Sequence, residues 1–184
     1  MKVTGTGFPG LKIIEPGIFT DPRGYFFESY NLEKFRKAGI GIQFVQDNQS
    51  KSQFGVIRGL HYQNNPFAQT KLIRVLQGKI YDVAVDLRIN SPAYGKWYGM
   101  ELSDENKMQL LIPKGFAHGF SVLTGSAIVF YKCDEVYQPQ SEAGILYNDP
   151  FLNIDWKIPD GKEIISEKDK NLKVFKEADF NFKL

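Results

Sequence analysis

The chain has 184 residues, the length of a single domain, with 42% hydrophobic residues, 24% charged residues and a formal net charge of +2. The sequence has no block of Lys and Arg residues, so its charge distribution does not indicate binding to nucleic acid. The single cysteine, Cys133, excludes an intramolecular disulfide and is typical of a reducing compartment. No signal-peptide run opens the chain and no segment has the length of a membrane span, so we expect a cytoplasmic protein without a membrane partner.

Apolar and polar residues mostly alternate along the chain, as they do on half-buried strands. After a first strand pattern, residues 31–39 predict a short helix that Asn31 caps at its start and Gly39 at its end. Together with turn residues such as Gly78, eight or more short strands favour a mainly β sandwich or barrel of the jelly-roll type. The strand patterns lie at 24–30, 44–52, 56–63, 71–76, 79–87, 97–102, 108–112, 116–123 and 127–134.

The C-terminal tail differs from the rest of the chain. Residues 166–178 are charged and compatible with a helix, and Ser166-Glu167-Lys168-Asp169 resembles a capping box. We therefore expect one domain over residues 1–184, in which a few short helices lie at the periphery of the β structure.

The chain contains only two histidines, His61 and His118. Histidine titrates near neutrality, so it can remove a proton and be regenerated in the same turnover. The alternative interpretation, for both histidines, is a structural residue without a role in catalysis. Gly115 and Gly119 flank His118 and predict a close approach of the backbone to some other group there.

Two polar residues share the apolar face of a predicted strand. Lys71 has the parity of Ile73, and Tyr131 has the parity of Val129, so inward-facing strands would place an ammonium and a phenol inside the barrel. Such groups are usually paired or functional because burying them without partners costs several kcal/mol. The structural interpretation is a snorkelling lysine and a core tyrosine bonded to the backbone.

The sequence gives little or no indication of a metal site or a nucleotide-binding loop. Jelly-roll metal sites need several convergent His and carboxylate ligands, and the chain has no His-x-His pair, so we expect no metal. It also lacks the glycine-rich loops of dinucleotide and nucleoside triphosphate sites. Arg23, Arg58 and Lys168 are candidates for binding an anion, or else are solvated surface cations.

Taken together, the motifs resemble those of the dTDP-4-dehydrorhamnose 3,5-epimerases, a family of cupin-like jelly rolls. The similarity extends from about residue 18 to residue 156 and is specific because both the order and the spacing of the motifs match. The matching segments are Asp21-Pro22-Arg23-Gly24, Phe27-Glu28, Gln46-Asp47-Asn48, Arg58-Gly59-Leu60-His61-Tyr62-Gln63, Gln69-Thr70-Lys71-Leu72, Asp82-Val83-Ala84-Val85-Asp86-Leu87-Arg88, Ser91-Pro92, Tyr94-Gly95-Lys96-Trp97, Pro113-Lys114-Gly115-Phe116-Ala117-His118-Gly119-Phe120 and Tyr131-Lys132.

The resemblance implies an isomerase that acts on dTDP-4-dehydro-6-deoxy-D-glucose without a cofactor, in the biosynthesis of dTDP-L-rhamnose. His61 would be the general base, oriented by Asp169, while Lys71 would stabilise the enolate and Tyr131 would return a proton. Substrate-binding roles would fall on Arg23, Glu28, Gln46, Asp47, Asn48, Arg58, His118, Tyr137, Glu142 and Lys168. The family is also typically homodimeric, and its N-terminal strands are exchanged between subunits.

The same residues are compatible with alternative interpretations. Asp169 also occupies the capping position three residues after Ser166, where it would have no catalytic role. A relative that inverts only C3 or only C5 would share the same motifs. A non-catalytic sugar-nucleotide-binding jelly roll and a metal-dependent oxygenase fit the residues less well.

Overall fold

The computed structural model describes all 184 residues and consists mainly of antiparallel strands. The strands are β1 (Lys2–Gly5), β2 (Lys12–Glu15), β3 (Ile18–Asp21), β4 (Gly24–Phe27), β5 (Gln46–Gln53), β6 (Ile57–Gln63), β7 (Lys71–Gln77), β8 (Lys79–Asp86), β9 (Trp97–Ser103), β10 (Gln109–Ile112), β11 (Phe116–Val122), β12 (Ser126–Cys133) and β13 (Glu142–Gly144). The α-helices are α1 (Leu32–Lys37) and α2 (Glu167–Lys170), and 3₁₀ turns occupy Pro139–Ser141 and Phe175–Glu177.

The strands form two large sheets and a separate hairpin. The six-stranded sheet has the order β1-β2-β10-β7-β12-β5, the five-stranded sheet has the order β13-β6-β11-β8-β9, and β3 pairs only with β4. The inward side chains of both sheets, such as Ile73, Val129, Ile80 and Phe120, form one buried cluster. The jelly roll predicted from the alternating pattern is therefore confirmed.

Each sheet is also covered on its outer face. Helix α1 packs Phe35 against Leu72 and Leu111 on the outside of the six-stranded sheet. Asn31 begins this helix by accepting a hydrogen bond from the backbone N–H of Lys34 (3.1 Å), as the sequence predicted. The C-terminal segment covers the five-stranded sheet with aromatic side chains that include Trp156, Phe175 and Phe182.

The predicted helix over residues 166–178 is wrong in extent. Helix α2 ends at Lys170, and the chain then runs beside the five-stranded sheet, where Lys173 forms an isolated parallel bridge with Ile145. Burial of Phe175, which is 6% exposed and packs with the aromatic side chains on the outside of the five-stranded sheet, outweighs the local preference for a longer helix. Strands β1, β2, β3 and β13, of three or four residues each, were not predicted. No helix of the structure is both long enough and apolar enough to span a bilayer.

Candidate active site

His61 is paired with a buried carboxylate from the C-terminal segment. Its Nε2 lies 2.7 Å from Asp169 Oδ1, while Asp169 Oδ2 accepts a longer hydrogen bond from the backbone N–H of Gly59 (3.4 Å). Burial would raise the pKa of Asp169, but the hydrogen bond and charge of His61, together with hydrogen bonds from Gly59 and Ser166, outweigh burial and hold the pKa below its usual value. An ionised Asp169 accepts from Nε2–H, which leaves Nδ1 of His61 as the nitrogen that can act as a base.

The cap of helix α2 holds the backbone of Asp169. The Ser166 hydroxyl accepts from the backbone N–H of Asp169 (3.1 Å), so Ser166 alone caps α2. The cap fixes the backbone of Asp169 and leaves its side chain free to reach His61. The sequence offered capping and orientation as alternatives for one side chain, and the structure divides them between two residues.

Lys71 and Tyr131 both point into the space between the sheets, as their parity predicted. Lys71 Nζ lies 5.9 Å from the centroid of the Tyr131 ring, and the two residues lie on neighbouring strands, β7 and β12. Neither Nζ nor Tyr131 Oη has a hydrogen-bond partner in the chain, and neither atom is sealed from solvent. Both polar groups are therefore available to a ligand.

Burial shifts the pKa values of these two groups in opposite directions. It lowers the pKa of Lys71, although the thiol of Cys133 and the carboxylates of Asp82 and Glu142 oppose that shift. It raises the pKa of Tyr131, so the phenol keeps its proton well into the alkaline range. Tyr131 is thereby suited to donate a proton and Lys71 to face a developing negative charge.

A chain of polar contacts joins the two sheets next to these groups. Gln46 Nε2 donates to Asn48 Oδ1 (3.1 Å), and Gln46 Oε1 accepts from the backbone N–H of Tyr137 (2.9 Å). The Tyr137 hydroxyl and Lys168 Nζ both donate to Glu142 Oε2, each at 2.7 Å. Five of the residues predicted to bind substrate thus form one connected rim.

Glu142 is the charge at the centre of this rim. Burial would raise its pKa, but hydrogen bonds from Lys168 and Tyr137 outweigh burial and hold the pKa below its usual value. The same carboxylate is close enough to affect His61, Lys71 and Tyr131 electrostatically. The rim and the three interior groups therefore belong to one site.

Arg58 and Lys168 add positive charge beside His61. With His61, Ser166 and Asp169 they line an open cleft of about 430 Å³. Arg58 Nε donates to the Ser52 hydroxyl (3.0 Å), which helps to fix the position of its exposed guanidinium. Two cations beside an open cleft suit an anionic group such as a diphosphate.

Three predicted binding residues have side chains apart from this cluster. Asp47 lies on the opposite face of β5 from Gln46 and Asn48, where it pairs with Lys132 (2.8 Å). Arg23 and Glu28 lie at the β3–β4 hairpin, which pairs with neither large sheet. Arg23 is bonded to Asp21, and Glu28 is bonded to Asn31 and Lys34.

His118 is buried beside the site and hydrogen-bonded to a carboxylate that we did not single out in the sequence. Its Nε2 lies 2.8 Å from Asp82 Oδ1, and its backbone pairs with His61 across β6 and β11. The parity of Asp82 with Ile80 and Ala84 was the available signal, since it places a carboxylate on an inward, apolar face. No group of three or more His, Cys, Asp or Glu side chains is placed to hold a metal ion.

The close approach predicted around His118 is to another strand. A Cβ at Gly119 would lie 2.8 Å from the Arg58 carbonyl oxygen, and a Cβ at Gly59 would lie 2.5 Å from Gly119 Cα. The two glycines let β6 and β11 come together at the point where their histidines are neighbours.

The two packed sheets and the groups between them define a cupin-like jelly-roll protein with an imidazole, an ammonium and a phenol gathered inside. The family model described as dTDP-4-dehydrorhamnose 3,5-epimerase matches residues 5–177. The chain belongs to the dTDP-4-dehydrorhamnose 3,5-epimerase family, which confirms the resemblance found in its motifs.

Individual relatives match along nearly their whole length. A dTDP-4-dehydrorhamnose 3,5-epimerase of Methanothermobacter thermautotrophicus is 51% identical over 173 residues, which cover 94% of this chain and 93% of that protein. The crystal structure of the Elizabethkingia anophelis NUHP1 epimerase has a TM-score of 0.92 at 53% identity, covering 96% of this chain and 97% of that one. The Legionella pneumophila enzyme, solved in complex with dTDP-4-keto-L-rhamnose, also has a TM-score of 0.92, at 49% identity and with coverages of 97% and 94%.

Proposed function

We propose that this protein is an isomerase that converts dTDP-4-dehydro-6-deoxy-D-glucose into dTDP-4-dehydro-L-rhamnose by inverting C3 and C5, in the biosynthesis of dTDP-L-rhamnose. The observation that supports this proposal is that the candidate base and the candidate acid project from different sheets. His61 projects from the five-stranded sheet, whereas Tyr131 and Lys71 project from the six-stranded sheet. A sugar ring bound between the sheets would meet a base on one face and an acid on the other.

The chemistry follows from the ketone of this substrate. C3 and C5 both flank the C4 carbonyl, so loss of either proton gives a carbanion that is delocalised onto the C4 oxygen as an enolate. His61 removes the proton through Nδ1, because Nε2 is engaged by Asp169. The positive charge that forms on the imidazole is stabilised by the buried carboxylate of Asp169.

Lys71 and Tyr131 complete each inversion. The Lys71 ammonium faces the C4 oxygen, where charge develops, and stabilises the enolate as an oxyanion donor. Tyr131 then delivers a proton to the face opposite His61. Inversion requires removal and return on opposite faces, and the two sheets supply one group for each.

The binding residues divide by the part of the substrate that they suit. Arg58 and Lys168 flank the open cleft and would bind the diphosphate, while the exposed ring of Tyr137 would stack on thymine. Gln46, Asn48 and Glu142 lie on the rim within reach of polar groups of the nucleotide sugar. Asp47 would contribute through its backbone, since its side chain is paired with Lys132 on the outer face.

Arg23 and Glu28 would act in a second subunit of a cytoplasmic homodimer. The hairpin that carries Arg23 exposes Phe19 (70%) and Phe26 (69%), which are cross-strand neighbours and form an apolar surface. Large exposed aromatic pairs of this kind are typical of interfaces. Exchange of the N-terminal strands would cover them and bring Arg23 to the partner's diphosphate.

The test is incubation of the purified protein with dTDP-4-dehydro-6-deoxy-D-glucose in D₂O, followed by NMR at C3 and C5. The proposal predicts deuterium at both carbons and a product with the L-rhamno configuration. Deuterium at one carbon would show a single-centre epimerase, and no exchange at either carbon would overturn an epimerase function on this substrate.

A further inference from the structure

Asp82 is a fully buried carboxylate on the inward face of β8. It is 0% exposed and shares its face with Ile80 and Ala84, which belong to the apolar cluster between the sheets. Asp82 Oδ2 has no hydrogen-bond partner at all. A charged or polar group left unpaired in an apolar interior is costly, so its presence here calls for a role beyond packing.

The one hydrogen bond of Asp82 is to a site residue. Its Oδ1 lies 2.8 Å from His118 Nε2, and the His118 side chain is itself 7% exposed. A carboxylate oxygen accepts, so Nε2 carries the proton in this pair. Asp82 thereby determines which ring nitrogen of His118 is protonated and how the ring is turned.

The other nitrogen of His118 remains free for a ligand. Nδ1 makes no hydrogen bond in the chain, and it is not among the buried unpaired atoms, so it keeps contact with the open interior. His118 pairs with His61 across β6 and β11, which places its ring next to the proposed base.

We propose that Asp82 is a positioning residue, which fixes His118 in its Nε2–H tautomer so that the Nδ1 lone pair accepts a hydrogen bond from a hydroxyl of the bound sugar. This inference rests on the proposed function, because it concerns the sugar of that substrate. It assigns to Asp82 and His118 the same carboxylate–imidazole arrangement as Asp169 and His61, but for binding instead of proton transfer. The other titratable groups in this part of the interior are His61, Lys71, Tyr131, Cys133 and Glu142.

The direct test is ¹⁵N NMR of the imidazoles, which is simple because the chain has only two histidines. A His118→Gln variant assigns the two sets of signals. In the wild type we expect His118 Nε2 to be protonated and Nδ1 to have the shift of an unprotonated nitrogen. In Asp82→Asn, whose amide can donate to Nε2, we expect the Nδ1–H tautomer to appear. A wild-type His118 with its proton on Nδ1 would overturn the proposal, whether or not the protein is an epimerase.

Kinetics separate positioning from a merely structural role. We expect Asp82→Asn to raise KM for the sugar nucleotide about 10-fold, the value of one hydrogen bond, while Kd for dTDP stays unchanged. In the Asp82→Asn/His118→Gln double variant, KM should equal that of His118→Gln alone, since Asp82 acts through His118. Independent, multiplying effects of the two substitutions would contradict the proposal.

A matched control is Asp149→Asn, the same substitution at a carboxylate that is 2% exposed and bonded to backbone N–H groups away from the site. It should lower Tm and leave KM of the folded protein unchanged. An unchanged KM in a folded Asp82→Asn variant would also overturn the proposal. Should Asp82→Asn not fold, the wild-type tautomer and the kinetics of His118→Gln still decide the outcome.

Discussion

Asp169 and His61 are 108 positions apart in the chain, yet Asp169 Oδ1 lies 2.7 Å from His61 Nε2. The contact exists because α2 is short and its cap is made by Ser166, which turns the Asp169 side chain toward β6. The proposed role of His61 as the base therefore depends on the C-terminal segment being docked on the five-stranded sheet.

Replacement of the Asp169 carboxylate tests whether the proposed role of His61 depends on it. We expect Asp169→Asn to lower kcat by roughly 10²–10⁴-fold, because an amide favours the wrong tautomer of His61 and cannot stabilise its positive charge. Steady-state kinetics with the nucleotide sugar measure the loss. Glu167→Gln is the matched control, since Glu167 is exposed on the same helical turn and pairs only with Lys170 and through its backbone. An equal loss in both variants would point to disruption of α2 instead.

Lys168 offers a prediction about binding. We expect Lys168→Gln to raise Kd for dTDP about 10-fold, an effect that shrinks at high salt because the lost contact is ionic. Its ion pair with Glu142 is partly exposed, so the free energy of unfolding should change by less than about 1 kcal/mol. Calorimetric titration at two salt concentrations measures the affinity. Lys170→Gln, on the exposed side of the same turn, should bind dTDP like the wild type.

The sequence predicted the interior groups well because strand parity is a local property. His61, Lys71 and Tyr131 lie on long strands whose alternation already defined an inward face. The rim contacts could not be predicted in this way. Glu142 meets Lys168 only because the C-terminal segment packs on the sheet, and the strand of Glu142 has three residues. The over-long C-terminal helix has the same origin, since burial of Phe175 is a tertiary effect that local propensity does not contain.

Cys133 predicts a pH dependence of stability. Burial raises the pKa of its thiol to about 11 from 9.0, although Lys71 opposes the shift. The pKa of the thiol is higher in the folded protein than in the unfolded chain. The contribution of the neutral thiol to the free energy of unfolding is therefore complete below pH 9 and is lost as the pH rises toward 11. The full loss above pH 11 amounts to roughly 2–3 kcal/mol, of which about 2 kcal/mol is reached by pH 10.5. Urea unfolding under reducing conditions at pH 7.5 and pH 10.5 measures it. Cys133→Ala should lose less stability over this range, and an identical loss in both proteins would refute the assignment.

We propose that removal and return of a proton are divided between His61 on one sheet and Tyr131 on the other. Tyr131→Phe, incubated with dTDP-4-dehydro-6-deoxy-D-glucose in D₂O and followed by NMR, tests it most directly. Since His61 and Lys71 remain, we predict deuterium entering next to the ketone with retained configuration, and inversion slower than wild type by roughly 10²–10⁴-fold. Inversion at the wild-type rate, or loss of exchange together with inversion, would contradict the division of roles.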